Sequence, residues 1–174
     1  MKNFQRNSPV ILTTLIALIA ILGPTGCGGS AEQDPPSGVM AAPNFELEDL
    51  TGGRVRLSDY LGQVVLLNFW ATWCRPCVAE TPDLVDLYKN YRERGLMVLG
   101  VSVDQNPRSV LQPFVQRYRI NYPILLNDQR AAAAYGGVTS IPTTFLIDRQ
   151  GMIRKQYVGY QQKSIVEEAI KELL

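Results

Sequence analysis

The chain contains no histidine and only three cysteines in 174 residues. Without histidine there is no Cys–His nucleophile pair, no His-ligated zinc or copper site and no Cys-x-x-Cys-His attachment of haem. Three thiols cannot build a four-thiolate cluster within one chain. Charge of either sign is also sparse: the formal net charge is +1 and no run of like charges stands out. That leaves no electrostatic case for nucleic acid or for any strongly charged partner. Chemistry must therefore come from thiols, carboxylates and backbone groups. With 46% hydrophobic residues, the length suits one domain with its own core plus additional segments.

The first segment is read from its polarity. Lys2 and Arg6 precede thirteen largely apolar residues, Val10 to Leu22, and this run falls short of the roughly 20 residues that cross a bilayer as a helix. A positive start before a short apolar run resembles an export signal. Gly26-Cys27 just after it resembles a bacterial lipoprotein cleavage site, with Cys27 the residue to be lipidated. Pro24 departs from that pattern, because an aliphatic residue usually stands three places before the cysteine. An uncleaved membrane anchor, or an ordinary cleaved signal with a spare thiol, remains the alternative. Each version places the rest of the chain outside the cytoplasm. The reading is therefore an export signal over residues 1–26 and a Gly-, Pro- and Ser-rich flexible tether over 27–41, leaving a globular domain over 42–174.

Within that domain, Phe45–Leu47 and Val55–Leu57 flank Thr51-Gly52-Gly53 as a small β-hairpin, and Ser58-Asp59 suits the cap of a short turn. Val64–Phe69 is a nearly continuous apolar run, the pattern of a central strand covered on both faces. Helical spacing of Leu84, Leu87, Tyr88 and Tyr91 follows, reaching Arg94 before the stop at Gly95. Leu96–Val103 reads as a second buried strand, and Asn106-Pro107 opens a helix with Val110, Leu111, Phe114, Val115 and Tyr118. Tyr122–Leu126 is a short strand and Asp128–Tyr135 a short helix. Thr143–Ile147 and Ile153–Val158 form a terminal hairpin. Ser164 and Glu167 match a capping box for a last helix whose apolar side is Ile165, Ala169, Ile170 and Leu173. Alternating strands and helices predict an α/β fold about a central mixed sheet flanked by helices.

The chemistry concentrates in WATWCRPCVAETP, Trp70 to Pro82. A thiolate, not a thiol, attacks disulfides, so the reactive cysteine needs a lowered pKa. Cys74 falls at a helix N-terminus, where unpaired amides and the helix dipole favour negative charge. Cys77, further into the helix, is the less accessible thiol. This assigns Cys74 as nucleophile and Cys77 as the resolving thiol, with both sulfurs within reach of a disulfide. Arg75 adds positive charge and Pro76 suits a first helical turn. A zinc half-site lacks its other two ligands, and a purely structural staple closing so short a loop contributes little stability.

WATWCRPC after a buried strand, with Ile141-Pro142 and IPTTFLID at 141–148, resembles a thioredoxin fold. More specifically, residues 42–174 are similar to the membrane-tethered, extracytoplasmic TlpA/ResA-like thiol-disulfide oxidoreductases, including the N-terminal hairpin and an inserted helix–strand unit around Pro107–Leu126. The resemblance implies a cis Pro142 facing the cysteines and bordering the substrate groove. It also implies that Glu80 manages protons around the pair. Trp73, Arg75, Pro76, Ile141 and Pro142 are the candidate substrate-contacting residues, and no metal or cofactor is implied. Implied partners are disulfides of exported proteins, apocytochrome c among them, a membrane thiol electron donor, and the membrane itself through the N-terminal lipid or anchor. Two other classes compete. A peroxiredoxin-like peroxidase uses a Thr-x-x-x-Cys pattern, whereas Thr72 lies only two residues before Cys74. A copper-delivery protein on a related scaffold generally adds a distant histidine, which this chain lacks.

Overall fold

The computed structural model describes residues 40–174. The export signal, Cys27 and nearly all of the tether lie outside the described residues. Eight strands form one sheet in the order β1-β8-β7-β4-β5-β6-β2-β3. They are β1 (Met40–Ala41), β2 (Glu46–Asp49), β3 (Arg54–Arg56), β4 (Val64–Trp70), β5 (Leu96–Ser102), β6 (Ile124–Leu126), β7 (Thr143–Ile147) and β8 (Met152–Val158). The helices are α1 (Arg75–Tyr91), α2 (Pro107–Tyr118), α3 (Arg130–Ala134) and α4 (Lys163–Leu173).

Every residue of β4 is buried, which explains its unbroken apolar run. It pairs in parallel with β5 and antiparallel with β7. Successive side chains leave a strand on opposite faces. Val64, Leu66 and Trp70 accordingly join one core with Leu84 and Leu87 of α1, Leu111 of α2 and Ile170 of α4. Val65, Leu67 and Phe69 join the other, with Leu99, Tyr135 and Phe145. Phe69 packs its ring 5.6 Å from Tyr135 and 6.1 Å, edge-on, from Phe145. Each such buried side chain stabilises the fold by about 1.5–3 kcal/mol relative to an exposed one. Asn68 shares the face of Leu66 and Trp70, so the one polar residue of the run points towards α1.

Several local expectations are corrected. Met40 and Ala41, assigned to the tether, pair with Ile153 and Met152 at the sheet edge, a strand too short to show periodicity. Leu57 leaves the hairpin for a 3₁₀ turn over Leu57–Tyr60, where the Arg56 N–H donates to Asp59 at 3.3 Å and Ser58 caps nothing. Pro123 has no N–H to give a ladder, and β6 starts only at Ile124. Asn106 occupies the N-cap position of α2 without a side-chain bond, Pro107 following it. The Ser164–Glu167 capping box does not form. The last helix starts at Lys163 after Gln162, and Glu167 instead accepts the Tyr91 hydroxyl of α1. That register buries Val166 and leaves Ile165 48% exposed.

Gly100 of β5 shows how tightly the sheet supports the loop after β4. A Cβ there would stand 2.8 Å from Ile124 Cδ1, 3.0 Å from Trp70 Nε1 and 3.2 Å from Tyr122 Cε2. Gly100→Ala is expected to cost about 1–3 kcal/mol through overpacking, read as a lower urea midpoint with an unchanged slope. An unaltered midpoint would mean that this packing is looser than the distances imply.

Candidate active site

The chain turns at the end of β4 because the following loop is tied to β5. The Val103 N–H donates to the Trp70 carbonyl at 2.9 Å. The Thr72 N–H and hydroxyl donate to the Asp104 carboxylate at 3.1 and 2.7 Å, and the Ser102 hydroxyl donates to it at 2.8 Å. Thr72 is thereby committed to holding the loop. This anchoring sets Cys74 as the N-cap of α1, with an extended backbone and Pro76 in the first turn. Its Sγ accepts the Cys77 N–H at 3.3 Å, taking one of the amides left unpaired at a helix start. Negative charge that develops on Cys74 therefore meets a backbone donor and the positive end of the helix dipole.

Cys74 and Cys77 are joined by a disulfide, with an S–S distance of 2.09 Å and Cα atoms 5.2 Å apart. Cys74 is 5% exposed and Cys77 1%, so Cys74 is the sulfur nearer to solvent. Arg75 and Pro76 are exposed beside them, and Trp73 projects with 68% of its surface free. The peptide bond between Ile141 and Pro142 is cis, and the Ile141 carbonyl oxygen lies 3.6 Å from Cys74 Sγ. An open groove of about 430 Å³ runs along Trp73, Thr72, Asp104 and Val110. The loop before β7 and the start of α1 thus share one surface with Trp73. A smaller, more apolar cavity of about 250 Å³ lies around Val65, Leu57 and Ile147 at the other end of β4, and no thiol lines it.

Glu80 follows Cys77 by three residues on α1, hence on the same helix face. It is only 7% exposed. The Asn68 amide donates to its Oε1 at 2.7 Å and also to the Thr144 hydroxyl at 2.9 Å. Burial pushes the Glu80 carboxyl up to about 7, the Asn68 hydrogen bond opposes that, and the charge of Asp83 adds to it. Behind it, a cavity of about 20 Å³ is lined by Glu80, Asp83, Tyr157 and Lys163 among others. The Tyr157 hydroxyl is buried without a protein partner among the described residues. α1 continues through Pro82, and the Thr81 hydroxyl bonds back to the Cys77 carbonyl at 2.9 Å.

Asn68, Thr144 and Asp104 were not among the sequence candidates. One signal was legible: Asn68 is the only polar residue in the run Val64–Phe69, and a buried amide needs partners.

The sequence model of the AhpC/TSA family matches residues 40–156. The thiol-disulfide oxidoreductase ResA of Geobacillus thermodenitrificans is 36% identical over 176 residues, covering 99% of both chains. A crystal structure of a thiol:disulfide interchange protein of the thioredoxin family from Chlorobium tepidum superposes with a TM-score of 0.70 at 29% identity, covering 77% of this chain and 95% of that one. The exposed lipoprotein thioredoxin of Streptococcus pneumoniae gives a TM-score of 0.65 at 32% identity, covering 75% and 100%.

The chain belongs to the AhpC/TSA family, as a TlpA/ResA-like thiol-disulfide oxidoreductase.

Its fold is the thioredoxin fold, and the cysteine pair at disulfide distance is the redox couple of an enzyme. For such an oxidoreductase the buried Glu80 has a measurable cost. Its carboxyl titrates near 7 in the folded chain against an ordinary 4.5. The folded state therefore favours the protonated acid. That contribution is complete below the unfolded value and is lost as pH rises through the folded one. Glu80→Gln keeps an acceptor for Asn68 and removes the charge. In the oxidised protein, the variant is expected to gain on the parent by up to about 3 kcal/mol between pH 4 and pH 8. Urea midpoints at the two pH values measure this, and a constant difference between the proteins would contradict it.

Proposed function

We propose that this oxidoreductase is exported, stays attached to the membrane, and reduces disulfides in other exported proteins, with apocytochrome c as a substrate. The observation that carries the catalytic reading is the sequence of groups on α1. Cys74 caps the helix beside the Ile141 carbonyl, Cys77 lies one turn deeper, and the buried carboxyl of Glu80 follows on the same face.

The chemistry then runs in two exchanges. The Cys74 thiolate attacks one sulfur of the substrate disulfide, forming a mixed disulfide and releasing the first substrate thiolate. The Cys77 thiol, passing its proton to Glu80, attacks Cys74 Sγ and expels the second substrate thiolate. Both released thiolates take protons from solvent. The products are the Cys74–Cys77 disulfide and a reduced substrate. Two electrons return by the reverse exchange with a membrane dithiol donor, and Glu80 gives its proton back to Cys77. A carboxyl poised near neutrality serves both directions. The substrate lies in extended form against the backbone at Ile141-Pro142, flanked by Trp73, Arg75 and Pro76.

Export and attachment are supported by the apolar run Val10–Leu22, by Cys27 after Gly26, and by the similarity to a protein named an exposed lipoprotein thioredoxin. Two acyl signals make attachment durable where one chain is marginal. In an oxidising space a reductase needs continuous re-reduction, which accounts for a membrane donor.

Cys77→Ser in the full chain is expected to accumulate mixed disulfides with exported proteins, released by reductant and absent from Cys74→Ser. Equal adducts from both variants would remove Cys74 from the nucleophile's role. Cys27→Ser is expected to abolish lipid incorporation and to move the protein from the membrane fraction to the soluble one. Retention in the membrane fraction without lipid would favour an uncleaved anchor.

A further inference from the structure

Asn68 sits at the centre of β4, directly opposite Thr144 of β7, and its side chain leaves the sheet on the side of α1. It is 2% exposed, in a position where an apolar residue would continue the run on either side. Its amide nitrogen carries two hydrogens, and both are used: one goes to Glu80 Oε1 at 2.7 Å, the other to Thr144 Oγ1 at 2.9 Å. A single planar group therefore joins three elements, the strand that ends at the cysteines, the helix that carries Glu80, and the strand that begins one residue after Pro142.

We propose that Asn68, anchored by Thr144, is a positioning residue for Glu80: it holds the carboxylate in place on the helix face it shares with Cys77 and supplies the hydrogen bond that lets a buried acid ionise. The inference rests on the reading of Glu80 as proton acceptor and deepens it. A buried carboxylate without a donor stays protonated and cannot accept a proton from Cys77. Backbone amides of α1 do not reach a side chain in the helix interior, so the donor must come from the sheet. The groups facing Glu80 from elsewhere do not replace it. Asp83 on α1 raises its proton affinity. Tyr122 and Tyr160 feel its charge. Tyr157 of β8 and Lys163 of α4 line the cavity behind it, Lys163 being paired with Asp86 at 3.0 Å. Among the described side chains, only Asn68 donates to the carboxylate.

The test separates the positioning role from the proton-transfer reading. With the disulfide closed, so that no cysteine titrates, ¹³C-labelled glutamate in the full chain reports the Glu80 carboxyl directly. Asn68→Leu is expected to raise its midpoint by about one pH unit, roughly a tenfold fall in the ratio of ionised to protonated carboxyl at any given pH. Thr144→Val, a smaller change that keeps the fold if Asn68→Leu does not, is expected to move it in the same direction by less. Asn68→Asp puts two carboxylates on one proton and is expected to split the titration into two steps. A Glu80 midpoint unmoved in folded Asn68→Leu or Thr144→Val overturns the proposal.

The pH profile of Cys77 alkylation in the reduced protein is the second readout. If it follows Glu80 in Asn68→Leu but shows no further change when Glu80→Gln is added, both readings stand. If Glu80 moves and Cys77 does not, Asn68 still positions Glu80 and the proton-transfer role fails instead.

Discussion

The pairing of β4 with β7 is the constraint on which the site depends. In that register Asn68 stands opposite Thr144 and Phe69 opposite Thr143, so Cys74, just after β4, and Ile141-Pro142, just before β7, arrive at the same surface. A slip of one residue would turn Asn68 away from α1 and put Phe69 where the amide belongs. The register is strongly specified because both faces of β4 are buried, each against its own apolar cluster. The packing that stabilises the fold and the geometry that aligns the sulfurs with the loop are thus one set of contacts.

Charge at the site is managed by position along α1. At its start, exposed amides and the dipole favour a Cys74 thiolate, and Cys74 Sγ already takes the Cys77 N–H. Two turns in, those donors are consumed by the helix itself, and Glu80 is left to burial, which favours its neutral form. The same helix therefore presents an end that stabilises anions and an interior that resists them. Asn68 reaches in from the sheet to moderate the second effect. The result is an acid able to change state near neutral pH one turn along α1 from Cys77, at a cost in folding stability that falls on the ionised form.

The sequence disclosed the strands and helices whose patterns are long and strongly apolar. β4, β5 and α1 were readable because burial on both faces, or on one helical stripe, leaves a periodic trace. Cys74 and Cys77 were visible because a Cys-x-x-Cys pair at a helix start, in a chain without histidine, has few readings other than disulfide exchange. Short or partner-dependent features were not. Met40–Ala41 becomes a strand only because β8 offers an edge. Ser164 and Glu167 match a capping box, yet Tyr91 competes for Glu167 and the helix begins two residues earlier, with Val166 rather than Ile165 turned to the core. Asn68 was read as part of a strand and Thr144 as part of a phrase; that the two meet over Glu80 depends on a pairing between residues seventy-six positions apart, which local pattern does not encode.

The reduction potential of the Cys74–Cys77 couple, obtained by equilibrating the full chain with defined ratios of reduced and oxidised dithiol, bears most directly on the proposed reductase. Thioredoxin lies at about −270 mV and a strongly oxidising Cys-x-x-Cys protein such as DsbA at about −120 mV, a gap on the order of 7 kcal/mol for two electrons. A reductase is expected to show a value towards the thioredoxin end, where the dithiol gives electrons to substrate disulfides. A value near the oxidising end would contradict it and assign the enzyme to disulfide formation instead.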